Sequence, residues 1–392
     1  MTRWWWPLTC VAVASCARGE PAERDTPVAE RPTPAEKKKT AVQPVLRDGR
    51  AAASCPPLPD PVAIRPAARR WPLRLAATVK GGNKTRSYAI MRTTAAATGA
   101  RWAGAAFDGG VLWDGARRVR ELPCGEFGCT PHDATLADDG KTLLIGLNRV
   151  DLASGAVTSL TQLNQALHAA GTTEVTAVAW PRDGAIAIAA THYRPLPIPR
   201  DRAPDNPGPS PPDRAIAIDG MTGALVRDLA SMRGFSHSVA ASSAQLVAMT
   251  QDGLTAWDRA TFTATRRQEP ADGNLLVFDR SGRWLASTRQ GEITLWRMPD
   301  FCPVARLGGE KEFVHALAFH PTAPVLFAST EHTVHAYSID TPGEELGAAE
   351  VAAGSPAIAQ SIDSLVVTAD GTRLVVPVYM GEDVLFFDVT PP

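Results

Sequence analysis

The sequence predicts an all-β fold assembled from repeated units, on three observations. Short alternating apolar runs occur throughout, and long amphipathic helical patterns do not. A hairpin signal recurs, with an apolar run, a turn carrying Asp or Ser before Gly, and a second apolar run. A third run follows each hairpin, and these third runs end at a regular spacing.

The hairpins read as follows. Val175–Trp180 precedes Asp183-Gly184 and an Ala/Ile run; Leu275–Phe278 precedes Ser281-Gly282 and Trp284–Ser287. Val314–Phe319 precedes His-Pro-Thr-Ala and Val325–Ser329; Leu365–Thr368 precedes Asp370-Gly371 and Leu374–Val376. The third runs end at Trp113-Asp114, Val150-Asp151, Ile218-Asp219, Trp257-Asp258, Trp296-Arg297, Tyr337-Ser338 and Phe387-Asp388, successive spacings being 37, 68, 39, 39, 41 and 50 residues. A period near 40 with a terminal Trp-Asp resembles the WD-repeat family and its quinoprotein-like relatives. Asp151-Leu-Ala-Ser154-Gly155 and Asp219-Gly-Met-Thr222-Gly223 resemble the Asp-x-x-Thr-Gly turn of quinoprotein-like blades. The resemblance covers about residues 73–390 and implies a seven-bladed β-propeller. The last unit has only three strands before the chain ends at Pro392, and an unassigned strand pattern, Leu73–Val79, precedes the first unit. That segment is expected to complete the last blade and remove the open edge.

The chain starts differently. Met1-Thr-Arg3 is positive, and Trp4–Ser15 is a mostly apolar run too short to span a bilayer. It ends Val13-Ala14-Ser15-Cys16, which resembles the lipobox of bacterial lipoproteins. The resemblance implies a signal peptide over 1–15 and lipidation of Cys16 with diacylglyceryl and palmitate-type acyl chains. It also implies envelope localisation, and Ala17 favours the outer membrane. Residues 16–70 read as a tether, with ten prolines between Pro21 and Pro66 and the run Lys37–Lys39, a composition unable to bury enough apolar surface to order itself. The propeller is then expected over 71–392.

Two embellishments fall on one face, here the upper, formed by the second-to-third-strand loops and the blade-to-blade connections. An insertion with eight prolines between Pro195 and Pro212 accounts for the 68-residue spacing and carries Arg194, Arg200 and Arg202. Cys124-Gly-Glu-Phe-Gly-Cys129 follows the first blade. In an exported chain a disulfide is expected there, with free thiols or a metal site using His132 as the alternatives. Cys55 and Cys302 form a further possible pair whose connectivity sequence does not settle. His332 reads as a loop residue and His335 as a strand residue, on opposite faces. The second-to-third-strand tips, Asp252, Arg289, Glu331, His332, Glu382 and Asp383, mix both charges.

With a net charge of −1, the chain lacks the positive excess that nucleic-acid binding uses. No Ser-His-Asp order, nucleophile elbow, phosphate loop or paired-acid motif stands out. The expected function is a non-catalytic scaffold without cofactor, a monomer binding a protein or peptide of the cell envelope. The alternative is a propeller enzyme of quinoprotein-like or lactonase-like type, which would need convergent acids, amides or imidazoles in the central channel.

Overall fold

The computed structural model describes residues 55–390, apart from 69, 81–91, 107–108, 124–133, 161, 163–172, 194–212, 233–238, 251–252, 268–274, 290, 309–312, 352–361, 363 and 379–382. The strands form seven sheets, five of four strands and two in which a fifth strand is added to the same four-stranded meander, and so seven blades. Blades 1 to 7 span 92–123, 134–159, 173–231, 239–267, 276–308, 316–350 and 366–388. In each, the first strand is inner and later strands step outwards. The last blade holds only three strands from its own stretch, and Arg74–Lys80 supplies the fourth. It pairs antiparallel with Asp383–Asp388, from Arg74↔Asp388 to Lys80↔Asp383. The closing strand therefore sits where the sequence reading placed it.

Packing explains why second and third strands read as nearly continuous apolar runs. Gln245–Thr250 is buried at every position, and so are the four central residues of Glu292–Arg297 and of Asp383–Asp388. Each sheet has a neighbour on both faces, so alternation gives way to burial of both sets of side chains. Alanine recurs where sheets meet closely, as in the fully buried Ala187, Ala189 and Ala190. The core divides into seven apolar clusters, each bridging one pair of adjacent blades. At the seam between blades 7 and 1, Trp102 stacks on Trp113 at 5.2 Å, with Phe386 of blade 7 edge-on to Trp102 at 6.0 Å.

The tether differs from expectation over its last part. From Cys55 onward the chain is ordered along the outer edges of blades 5 and 6, not free to residue 70. Cys55 is disulfide-bonded to Cys302, with Cα atoms 5.3 Å apart. Pro61–Ala63 adds a parallel fifth strand to Cys302–Gly308, and Arg65–Pro66 pairs with Glu344 and Glu345. Trp71 then donates from its backbone to Leu346 O and from its indole to Val389 O. The proline content that argued for disorder is also compatible with a sheet edge, where one side of the strand needs no donors. Glycines in the outer strands permit the approach. A Cβ on Gly308 would lie 2.6 Å from Pro61, and one on Gly347 would lie 2.7 Å from Trp71 O.

The third-to-outer turns explain the terminal Asp of the repeat. The Asp219 carboxylate accepts from Met221 N, Thr222 N and Thr222 Oγ1; Asp151 and Asp258 repeat this with Ala153 and Ser154, and with Ala260 and Thr261. The turn then needs a left-handed residue, Gly155 or Gly223 in two blades. In blade 4 that residue is Phe262, at φ 55°, whose ring packs on the core between blades 3 and 4 and carries Arg227 5.6 Å from its centre. Between blades 6 and 7, buried His320 takes the place of a turn Asp. Its Nδ1 accepts from Thr322 N and Ala323 N, so Nε2 is the donor to Gly371 O, and burial holds its pKa below the ordinary histidine value.

Two predictions follow from these contacts. Chains beginning at residues 55, 74 and 81 should melt at successively lower temperatures, because the second loses the disulfide and the parallel strands and the third also opens the ring. Equal melting of the last two would contradict closure by Arg74–Lys80. For Asp219 and Asp258, hydrogen bonds from the backbone and then the side chains of Thr222 and Thr261 hold the carboxyl pKa below the ordinary value. Their stabilising contribution is present above about pH 4 and is lost as pH falls through the lowered values. Asp219→Asn with Asp258→Asn should therefore melt a few degrees lower at pH 7 and lose less stability between pH 5 and 2.5, followed by circular dichroism.

Candidate functional site

The inner strands surround a central channel that contains a cavity of about 400 Å³. Its lining comes mainly from the inner strands of the blades, among them Thr93, Ala177, Val239, Val277, Ala316 and Val366, with the larger Trp180, Phe278 and Phe319 at strand ends. Among the described residues, no group of three His, Cys, Asp or Glu side chains is arranged to hold a metal ion.

On the upper face, four of the expected tip residues are described. Arg289 ends the second strand of blade 5, Glu331 and His332 form the second-to-third-strand turn of blade 6, and Asp383 opens the third strand of blade 7. The three consecutive blades thus place them on one arc of the rim. Glu331 and His332 approach to 3.9 Å, and both are about half exposed. Arg289 Nε is buried and makes no hydrogen bond among the described residues. Asp383 pairs with Lys80 in the closing strand register. Asp252, Glu382, Arg194, Arg200, Arg202, Cys124 and Cys129 lie outside the described residues. The stem of the proline insertion is described: it leaves Ile186–Tyr193, returns at Arg214–Asp219, and His192 Nδ1 meets Asp213 Oδ1 at 2.7 Å across its base.

His332 lies in a turn and His335 in the strand Thr333–Ser338, as the spacing implied. His335 Nδ1 meets Glu345 Oε1 at 2.6 Å, a contact within one blade. The sequence reading missed Phe313. This residue sits in the upper connection from blade 5 to blade 6, beside buried Val314, and is 63% exposed. Phe313 stands alone before the apolar run that begins at Val314, and a single residue at a run boundary carries no periodic signal.

The lower face is built from short first-to-second-strand turns. Asp138 N donates to Arg182 O at 2.8 Å, and Asp370 N to Gly99 O at 3.3 Å, which ties neighbouring turns together. Asp183 is held by both guanidinium nitrogens of Arg259 from blade 4, at 2.7 and 2.5 Å, and this lowers its pKa. Arg182 and Arg280 reach over the lower mouth of the channel. What surrounds the chain in sequence space adds nothing to this geometry: no family model matches it, and no curated protein matches it.

Proposed function

We propose that this chain is a lipid-anchored protein of the bacterial envelope whose propeller is a non-catalytic scaffold that binds a protein or peptide on its upper rim. The observation that carries the reading is the exposed Phe313 in the upper connection into blade 6, the blade whose upper turn carries the half-exposed Glu331 and His332. An aromatic anchor beside mixed charges, on a rigid ring, has the makings of an interface hot spot. Arg289 on blade 5 and Asp383 on blade 7 flank it, and the second-to-third-strand connection of blade 3, whose sequence carries Arg194, Arg200 and Arg202, begins at Tyr193 and ends at Asp213 on the same face. No cofactor or metal enters this role, and the scaffold acts as a monomer. The anchor is Cys16, by its resemblance to a lipobox.

Two experiments test the reading. Cys16→Ala should move the protein from the membrane fraction to the soluble fraction, or leave an unprocessed precursor. Membrane association that persists without a detectable acyl group would refute the anchor. Phe313→Ala with Glu331→Ala and His332→Ala should weaken capture of partners from detergent-solubilised envelopes by about tenfold or more, since loss of a hot-spot aromatic commonly costs about 2 kcal/mol. The melting temperature should stay within a degree or two, because all three side chains are exposed. Undiminished capture by the triple variant would place binding elsewhere.

A further inference from the structure

The lower mouth carries a charge pattern that the upper-rim reading does not use. Five first-to-second-strand turns have a left-handed glycine: Gly99, Gly140, Gly184, Gly282 and Gly371. The residue two positions before that glycine is Ala97, Asp138, Arg182, Arg280 and Ala369 respectively. Because the turns are equivalent around the ring, these positions face one another at the mouth. Arg182, from blade 3, donates from Nη1 to Ala95 O at 3.1 Å. Arg280, from blade 5, donates to Ala97 O. Both acceptors lie at the end of the inner strand of blade 1, so the two guanidinium groups come from different sides of the channel and meet over its end.

These two cations are incompletely balanced. Asp138 is 3.9 Å from Arg182. Asp183 is taken by Arg259, and Asp279 accepts from Ser281 N, Ser281 Oγ and Trp284 N within its own turn. Among the described residues, one carboxylate therefore faces two guanidinium groups. Each guanidinium has five donors and uses one in a hydrogen bond among the described residues. Burial, and then the charge of Arg280, pushes the Arg182 pKa down, as expected of cations held close together. Directly above them the cavity wall is mixed, with more polar than apolar surface, and includes Thr93, Thr94 and Ser242 beside Val239 and Val277. The cavity volume of about 400 Å³ lies in the range of small-molecule sites.

We propose that the lower end of the channel binds a small organic carboxylate, with its carboxylate group between Arg182 and Arg280 and the rest of the molecule in the cavity. A carboxylate matches the flat donor fork of a guanidinium. One negative charge also completes the balance of two cations against Asp138, whereas a phosphoryl dianion would exceed it. The site is on the opposite face from Phe313 and does not depend on the upper-rim reading.

Octanoate, octanol, octyl phosphate and acetate serve as probes, titrated calorimetrically into the full-length protein below their micellar concentrations. Octanoate should bind saturably with one site per chain, and acetate should need at least tenfold higher concentration. Arg280→Gln should weaken octanoate at least tenfold, and Arg280→Lys should restore part of the affinity. Arg280 is exposed, so this variant keeps the test valid if Arg182→Gln does not fold. Octanol binding as well as octanoate, or octanoate binding unchanged by Arg280→Gln, would overturn the site. Tighter binding of octyl phosphate would overturn the assignment to a carboxylate.

Discussion

Ring closure is the constraint on which the rest of this structure depends. Each blade has two large apolar faces and cannot bury either alone. Six of the seven blade interfaces form between neighbours in sequence, and the seventh joins the two ends of the repeat array. At that seam, Arg74–Lys80 lies in the last blade against Asp383–Asp388, while Trp102 and Trp113 of the first blade pack against Val375, Val384 and Phe386 of the last. An open ring would expose this surface, which holds some of the largest fully buried side chains of the protein. The stacked tryptophans at the seam and the closing strand therefore act on the same problem, one through side chains and the other through backbone pairing.

The segment before the closing strand extends the same solution. Between Cys55 and Lys80 the chain meets blades 5, 6 and 7 in turn, first through a disulfide, then through two short parallel pairings, then as a full antiparallel strand. The disulfide joins residues 247 positions apart, and a cross-link over so long a loop restricts the unfolded chain strongly. Tension entering from the N-terminal side of Cys55 would reach blade 5 through a covalent bond before loading the closing strand. Such an order of attachment suits a domain suspended from its N-terminal side.

Much of this architecture was legible because it follows from repetition. The third-strand ends, Trp113-Asp114 through Phe387-Asp388, mark the blades, since the Asp side chain closes the next turn and the preceding residue enters the core. Counting strands then required a partner for the last blade, and an unassigned strand pattern stood near residues 73–79, just before the first unit. The edge-bound segment was not legible for a physical reason. Proline and charge lower the tendency of a chain to fold by itself, but they do not prevent it from lying along an edge that another part of the molecule provides. Cys55 and Cys302 stood out as a possible pair in the sequence, and the docking of this segment on blade 5 is what brings them together. Phe313 and buried His320 were missed because single residues at run boundaries carry no periodic signal.

Arg182 and Arg280 were hidden in another way. In the sequence each is an ordinary turn residue, in Pro-Arg-Asp-Gly and Asp-Arg-Ser-Gly, nearly a hundred residues apart. Turn chemistry asks only for the Asp or Ser and the glycine and leaves the arginine position free. The ring changes what that freedom means. Equivalent positions from successive turns are brought to one mouth, so substitutions made independently in separate repeats become neighbours, and their charges must be balanced together. Asp138 partly balances Arg182, and Arg280 reaches across to backbone oxygen. A repeat protein closed on itself can thus assemble a site from positions that no local sequence pattern connects, and the place to look for it is where the repeat's own rules are silent.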